Sequence, residues 1–207
     1  MFTSATDEIA ASAARLVVEE GMEYGPAKRR AAKLLGRNAS REAALPGNEA
    51  VEDEVRSYLA LFCADTQPLE LAALRATALR WMERLEVFRP HLCGAVWRGT
   101  ATRLNAIQLE LYCDDSKAAE IALLDQRISF DIASRPGPRR DPVDVLVISE
   151  RSDSRDRSSS AVLHDGVTLH LTVLDHDDLR GALKPDAHGR TWRGDRAGLE
   201  KLLREQP

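Results

Sequence analysis

Gly94-Ala95-Val96-Trp97-Arg98-Gly99-Thr100-Ala101-Thr102-Arg103-Leu104-Asn105-Ala106-Ile107-Gln108-Leu109-Glu110-Leu111-Tyr112 decides how the chain is read. From Ala106 to Tyr112 apolar residues alternate with polar or small ones, the pattern of a strand with one buried face. Side chains two residues apart share a face of a strand, so Ala106, Gln108 and Glu110 stand together. Two glycines precede the strand, where the chain has just changed period after Pro90.

Upstream, residues 4 to about 88 read as helices, because apolar residues recur at three- and four-residue steps, as in Val51, Val55, Leu59 and Phe62. Thr3 or Ser4 caps a first helix that fades at Gly21, and Gly25-Pro26 marks the start of a second that ends near Gly36. The loop Leu45-Pro46-Gly47-Asn48 leads into a third helix. Asp65-Thr66-Gln67-Pro68-Leu69-Glu70 opens a fourth, with Leu71, Leu74, Ala78, Met82 and Leu85 on one side.

Downstream, Asp114, Asp115 and Ser116 cap a short helix around Ala119 to Leu124, and Ile128 to Ile132 reads as a strand. Ser134 to Pro142 reads as a Pro/Arg-rich loop. Val143 to Ile148 and Val162 to His164 are further strand candidates, separated by the charged, serine-rich Glu150 to Ser160. Asp165-Gly166 turns the chain into Val167 to Leu174, a hairpin signal, since both residues tolerate positive φ. A short helix near Asp177 to Leu183 and a terminal helix from about Arg196 to Glu205 complete the reading. The expected fold class is α+β: a helical N-terminal region (1–64), an α/β domain with a mixed sheet and flanking helices (65–183), and a C-terminal loop and helix packed on it (184–207).

With 43% apolar and 30% charged residues the chain belongs with ordinary globular proteins. Its net charge of -4 gives the whole molecule no electrostatic attraction to nucleic acid or an anionic membrane, so any basic site is local. Cys63, Cys93 and Cys113 lack metal-ligand spacing, and their odd number suits a reducing compartment. No export signal is read at the N-terminus and no apolar run approaches the roughly 18 residues of a membrane span, so a cytoplasmic location is expected.

The segment from Gly94 to Leu109 resembles the signature of the polymerase β-like nucleotidyltransferases. Gly94 falls on that family's first glycine, Arg98-Gly99 on its Arg-Gly step, and Asn105 to Gln108 on its Ser-Asp-hydrophobic-Asp strand. The resemblance covers roughly residues 68 to 182. The wider chain is similar to a group of proteobacterial nucleotidyltransferase-like proteins, which implies a bacterial origin. In such a motif backbone amides at the glycine turn approach a triphosphate while two strand carboxylates hold Mg²⁺. Here those two places are Ala106 and Gln108, neither a carboxylate. A third acid would stand within Val167 to Leu174, where the polar residues are Thr168, His170 and Thr172. Phosphoryl chemistry depends on metal ions to neutralise phosphate charge, so these replacements imply lost or altered catalysis.

The resemblance therefore implies a degenerate module that binds a nucleotide or a protein partner, with Gly94, Arg98, Gly99, Thr100 and Gln108 as the nucleotide-facing residues and no metal. The alternative is an active enzyme with a rearranged, Mg²⁺-dependent site, for which Glu110 is the candidate acid and Asp114 or Asp175 possible helpers. A solvent-facing polar residue is the simpler account of Glu110, and solvated arginines the simpler account of Arg98 and Arg103. His170 reads as structural. The basic stretch Lys28-Arg29-Arg30, with Lys33, Arg37 and Arg41, offers a third reading as a nucleic-acid or protein contact. No aromatic platform accompanies it, and a solvated helix face is preferred.

Overall fold

The computed structural model describes residues 4–36, 45–139, 141–151, 162–163, 166–185 and 189–205. Most of Glu150 to Ser160, and Thr3, Arg37, Arg41, His164, Asp165 and His188, lie outside these residues. The chain is α+β, with seven α-helices and a six-stranded mixed sheet among the described residues. It divides into two compact units, one up to Pro68 together with Thr100–Leu104, the other Leu69–Gly99 together with the chain from Asn105 onward. No described helix is long and apolar enough to cross a membrane.

The first unit is helical. Helix α1 (Ala5–Glu20) opens with a reciprocal cap, in which the Asp7 amide donates to Ser4 Oγ at 3.2 Å and the Ser4 amide to Asp7 Oδ2 at 2.9 Å. It closes at Gly21, whose φ of 67° suits a residue without a side chain. Helices α2 (Tyr24–Leu34) and α3 (Asn48–Phe62) pack on α1. Ala13, Ala14, Ala27 and Ala31 are fully buried between them, beside Val51 and Val55. Small side chains at these positions let the helix backbones come close.

The second unit holds the sheet. Its strands are β1 (His91–Cys93), β2 (Ile107–Tyr112), β3 (Asp131–Pro136), β4 (Pro142–Glu150), β5 (Val167–Leu174) and β6 (Arg193–Gly194). The order across the sheet is β3-β4-β5-β2-β1-β6, with β2 and β5 parallel and the other pairs antiparallel. Around it lie α4 (Gln67–Arg84), α5 (Gly94–Arg98), α6 (Ala118–Asp125) and α7 (Arg196–Glu205). Ile107, Leu109, Leu111, Leu169, Leu171 and Leu146 form a fully buried apolar row on one face. Trp81 of α4 donates from Nε1 to Glu150 Oε2 at 2.5 Å, and so ties that helix to the end of β4.

Several sequence expectations need correcting. Strand β3 begins at Asp131 and runs to Pro136, so part of the expected Pro/Arg-rich loop is strand. Every residue of β3 is exposed, and an edge strand with no buried side leaves no apolar alternation to read. Val162 and Leu163 are not part of a strand, and the Gly166 amide donates to Leu163 O at 3.0 Å. The partner of β5 on that side is β4, with Glu150 opposite Val167. The helix expected near Asp177 to Leu183 is a 3₁₀ turn at His176–Leu179. The fourth helix ends at Arg84, and a 3₁₀ turn at Glu86–Phe88 carries the chain on.

Candidate functional site

The alternation of β2 puts Gln108, Glu110 and Tyr112 on the face opposite the apolar row. Cross-strand register adds their neighbours: Cys93 and His170 flank Gln108, while His91 and Thr172 flank Glu110. Arg193 of β6 pairs with Cys93 and so joins the same row. The residues that the sequence placed near a third acid thus come beside the Gly94 turn, with His170 against Gln108.

Gly94 and Gln108 are in close contact. Gly94 has φ 70°, and a Cβ built there would sit 2.8 Å from Gln108 Oε1. The backbone conformation favours glycine, and a side chain there would displace the Gln108 amide. Gly94 opens the short helix α5, which Gly99 closes at φ 81°. The buried Arg75 of α4 holds this helix from below, donating from Nε to Val96 O at 3.1 Å and from Nη2 to Trp97 O at 3.2 Å. Burial alone depresses the Arg75 pKa, and the two carbonyls at the helix end answer its charge. Trp97 packs against β6, where a Cβ at Gly194 would fall 1.9 Å from its ring. The indole donates to Thr191 O at 2.9 Å.

Glu110 does not face solvent. It is 5% exposed, and both of its oxygens are engaged. Oε2 accepts from Tyr112 Oη at 2.8 Å and from Arg193 Nη1, which also reaches Tyr112 Oη at 3.1 Å. Oε1 faces Arg135 Nη2 at 3.6 Å. Arg135 comes from β3, three strands away or roughly 14 Å at ordinary strand spacing, so its side chain reaches across the sheet. A buried carboxylate needs this density of partners, because removing it from water costs several kcal/mol unless charge and hydrogen bonds replace the lost hydration. Burial and the neighbouring Glu110 push the Tyr112 phenol well above its ordinary pKa, so it is a neutral donor to the carboxylate. Burial is the largest single influence and works against the Arg193 charge, but Glu110, Tyr112 and Cys93 together outweigh it and the pKa of the guanidinium ends raised. His91 donates from Nδ1 to Arg89 O at 2.8 Å and meets the Tyr112 ring edge-on at 5.2 Å.

Cys93 reports on the charges around it. Burial pushes its thiol up to about 12, Glu110 adds to the rise, and Arg135, Arg193 and Arg98 oppose it. Arg98 is half-buried, with its guanidinium over the Trp192 ring at 5.6 Å from the centroid, so it is not a freely solvated side chain.

The remaining expected residues stand elsewhere. Thr100 is buried and belongs to the helical unit, as does the exposed Arg103. Asp115 Oδ1 accepts from the Lys117 amide at 2.9 Å, Asp175 Oδ1 from the Asp177 amide at 2.8 Å, and Asp178 pairs with Arg139 at 3.1 Å. In the basic stretch, Lys28 Nζ donates to Pro46 O and Asn48 Oδ1, and Arg30 pairs with Glu20, so part of that charge is spent within its own unit. His91, Glu86, Arg89, Asp195 and Arg196 line a cavity of about 250 Å³ whose charges are of both signs.

Mg²⁺ requires oxygen ligands free to bind it. Ala106 offers none, Gln108 turns a neutral amide onto Gly94, and Glu110 has given both oxygens to Arg193, Tyr112 and Arg135. These residues do not fit a magnesium site. The described residues also contain no group of three or more His, Cys, Asp or Glu side chains that could hold a metal. Arg193 is the residue that sequence reasoning missed. Its strand is two residues long, and the one signal for it was an acid in an alternating strand with no local cation to pair with. Compared with protein-family models, curated proteins and solved structures, the chain matches none of them.

Proposed function

We propose that this is a cytoplasmic protein whose sheet unit is a nucleotidyltransferase-like domain that binds a nucleotide without transferring it. The carrying observation is the state of Glu110, the single acid of β2, which is buried and paired where a working member of such a family would present metal ligands. The contact between Gly94 and Gln108 supports the same reading, since it brings the glycine turn against the strand position that the resemblance assigns to a metal ligand. What remains on that face is hydrogen-bonding and cationic.

The reading predicts that a nucleoside triphosphate raises the melting temperature of the protein with no pyrophosphate released, since a ligand of the folded state stabilises it by mass action. Pyrophosphate release with Mg²⁺ or Mn²⁺ that Glu110→Ala abolishes establishes the active-enzyme alternative instead. No thermal shift with any of the four common nucleotides rules out the nucleotide and leaves a protein partner.

A further inference from the structure

We infer that the face around Glu110 takes a polyphosphate chain directly on its arginines, with no divalent metal between them. The inference rests on the nucleotide reading above and states which chemistry would do the binding. Arg135 and Arg193 carry two positive charges against the one negative charge of Glu110, a local excess of one in a chain of net charge -4. The positive charge stands on the strand face where metal-dependent transferases gather acid, so the side chains themselves supply the counter-charge that an ion would bring.

The donors are placed for this. A guanidinium has five N–H groups in a planar fork suited to phosphate oxygens. Arg135 has a 43% exposed side chain and, among the described residues, one ion contact at 3.6 Å and no hydrogen bond. Arg193, 27% exposed, spends only Nη1 on Glu110 and Tyr112. Glu110 anchors both arginines and keeps the cluster from repelling itself. Gln108 and His170, both half-buried beside it, provide polar surface toward the Gly94 turn.

The test is calorimetric titration of the full chain with ATP and, separately, with inorganic tripolyphosphate, each in EDTA and in excess Mg²⁺. Binding in EDTA that is equal to or tighter than in Mg²⁺ is expected, because Mg²⁺ neutralises the oxygens the arginines would hold. Tripolyphosphate binding as well as ATP assigns recognition to the phosphate chain, and ATP alone adds the nucleoside. Arg135→Ala, at an exposed position, is expected to weaken binding about tenfold, the size of one lost charged hydrogen bond. Arg139→Ala, which breaks only the pair with Asp178, is expected to leave it unchanged. Binding only in Mg²⁺, or unchanged by Arg135→Ala, overturns the inference while the nucleotide reading stands. No binding of either compound in either buffer removes both.

Discussion

Among the described residues each unit buries one glutamate, and the two solve the same electrostatic problem differently. In the helical unit Glu52 is 5% exposed and pairs with Arg56, one turn along the same helix, at 2.7 Å. In the sheet unit Glu110 is equally buried, but its arginines lie on other strands, Arg193 being 83 residues away in sequence. A helix brings its own partner within reach every fourth residue. A strand points its neighbours to the opposite face or strings them along its own, so the counter-charge must come from elsewhere in the sheet. The local solution builds a helix face. The non-local one gathers arginines from β3 and β6 onto one surface, and so creates a charged site.

The largest expected difference between the two comes from removing each arginine. Arg193→Ala leaves the carboxylate with only Tyr112 and the distant Arg135, and should destabilise the sheet unit by about 3–5 kcal/mol, the cost of orphaning a buried charge. All three tryptophans, Trp81, Trp97 and Trp192, lie in that unit, so urea unfolding followed by tryptophan fluorescence reads the change. An effect below about 1 kcal/mol would make the pair an incidental contact.

A second difference is in pH dependence. Tyr112 and Cys93 have folded pKa values raised above their unfolded ones, so the folded state holds these protons more tightly. The associated stability is fully present below about pH 9, the ordinary thiol range, and is lost as pH rises toward about 12. Each group contributes a slope of at most about 1.4 kcal/mol per pH unit. Tyr112→Phe combined with Cys93→Ala should flatten the alkaline limb of the stability curve. An unchanged limb would mean that neither group titrates with folding. In the local pair, Arg56→Ala removes a partner of the equally buried Glu52 and should destabilise the helical unit by about 1–3 kcal/mol, read from the helical circular-dichroism signal.

The same contrast explains what the sequence made legible. The helical unit follows from apolar spacing, a serine cap and a left-handed glycine, all local signals. Glu110 was read as solvent-facing because alternation equates polar with outward. That rule fails when side chains from distant strands cover the second face of a sheet. Strand β6 was illegible because two residues cannot show a period, and Arg193 was hidden with it. Strand β3 was read three residues early because an exposed edge strand has no apolar face to mark its ends.

A double-mutant cycle tests most directly whether Glu110 and Arg193 form one structural and electrostatic unit. Stability is measured for the wild type, Glu110→Gln, Arg193→Met and the double variant. Coupling of about 1–3 kcal/mol, with the double variant less destabilised than the sum of the singles, is the expected result. Additive losses would show that the two side chains act independently, and the account of this face as an arginine cluster organised by a buried acid would be wrong.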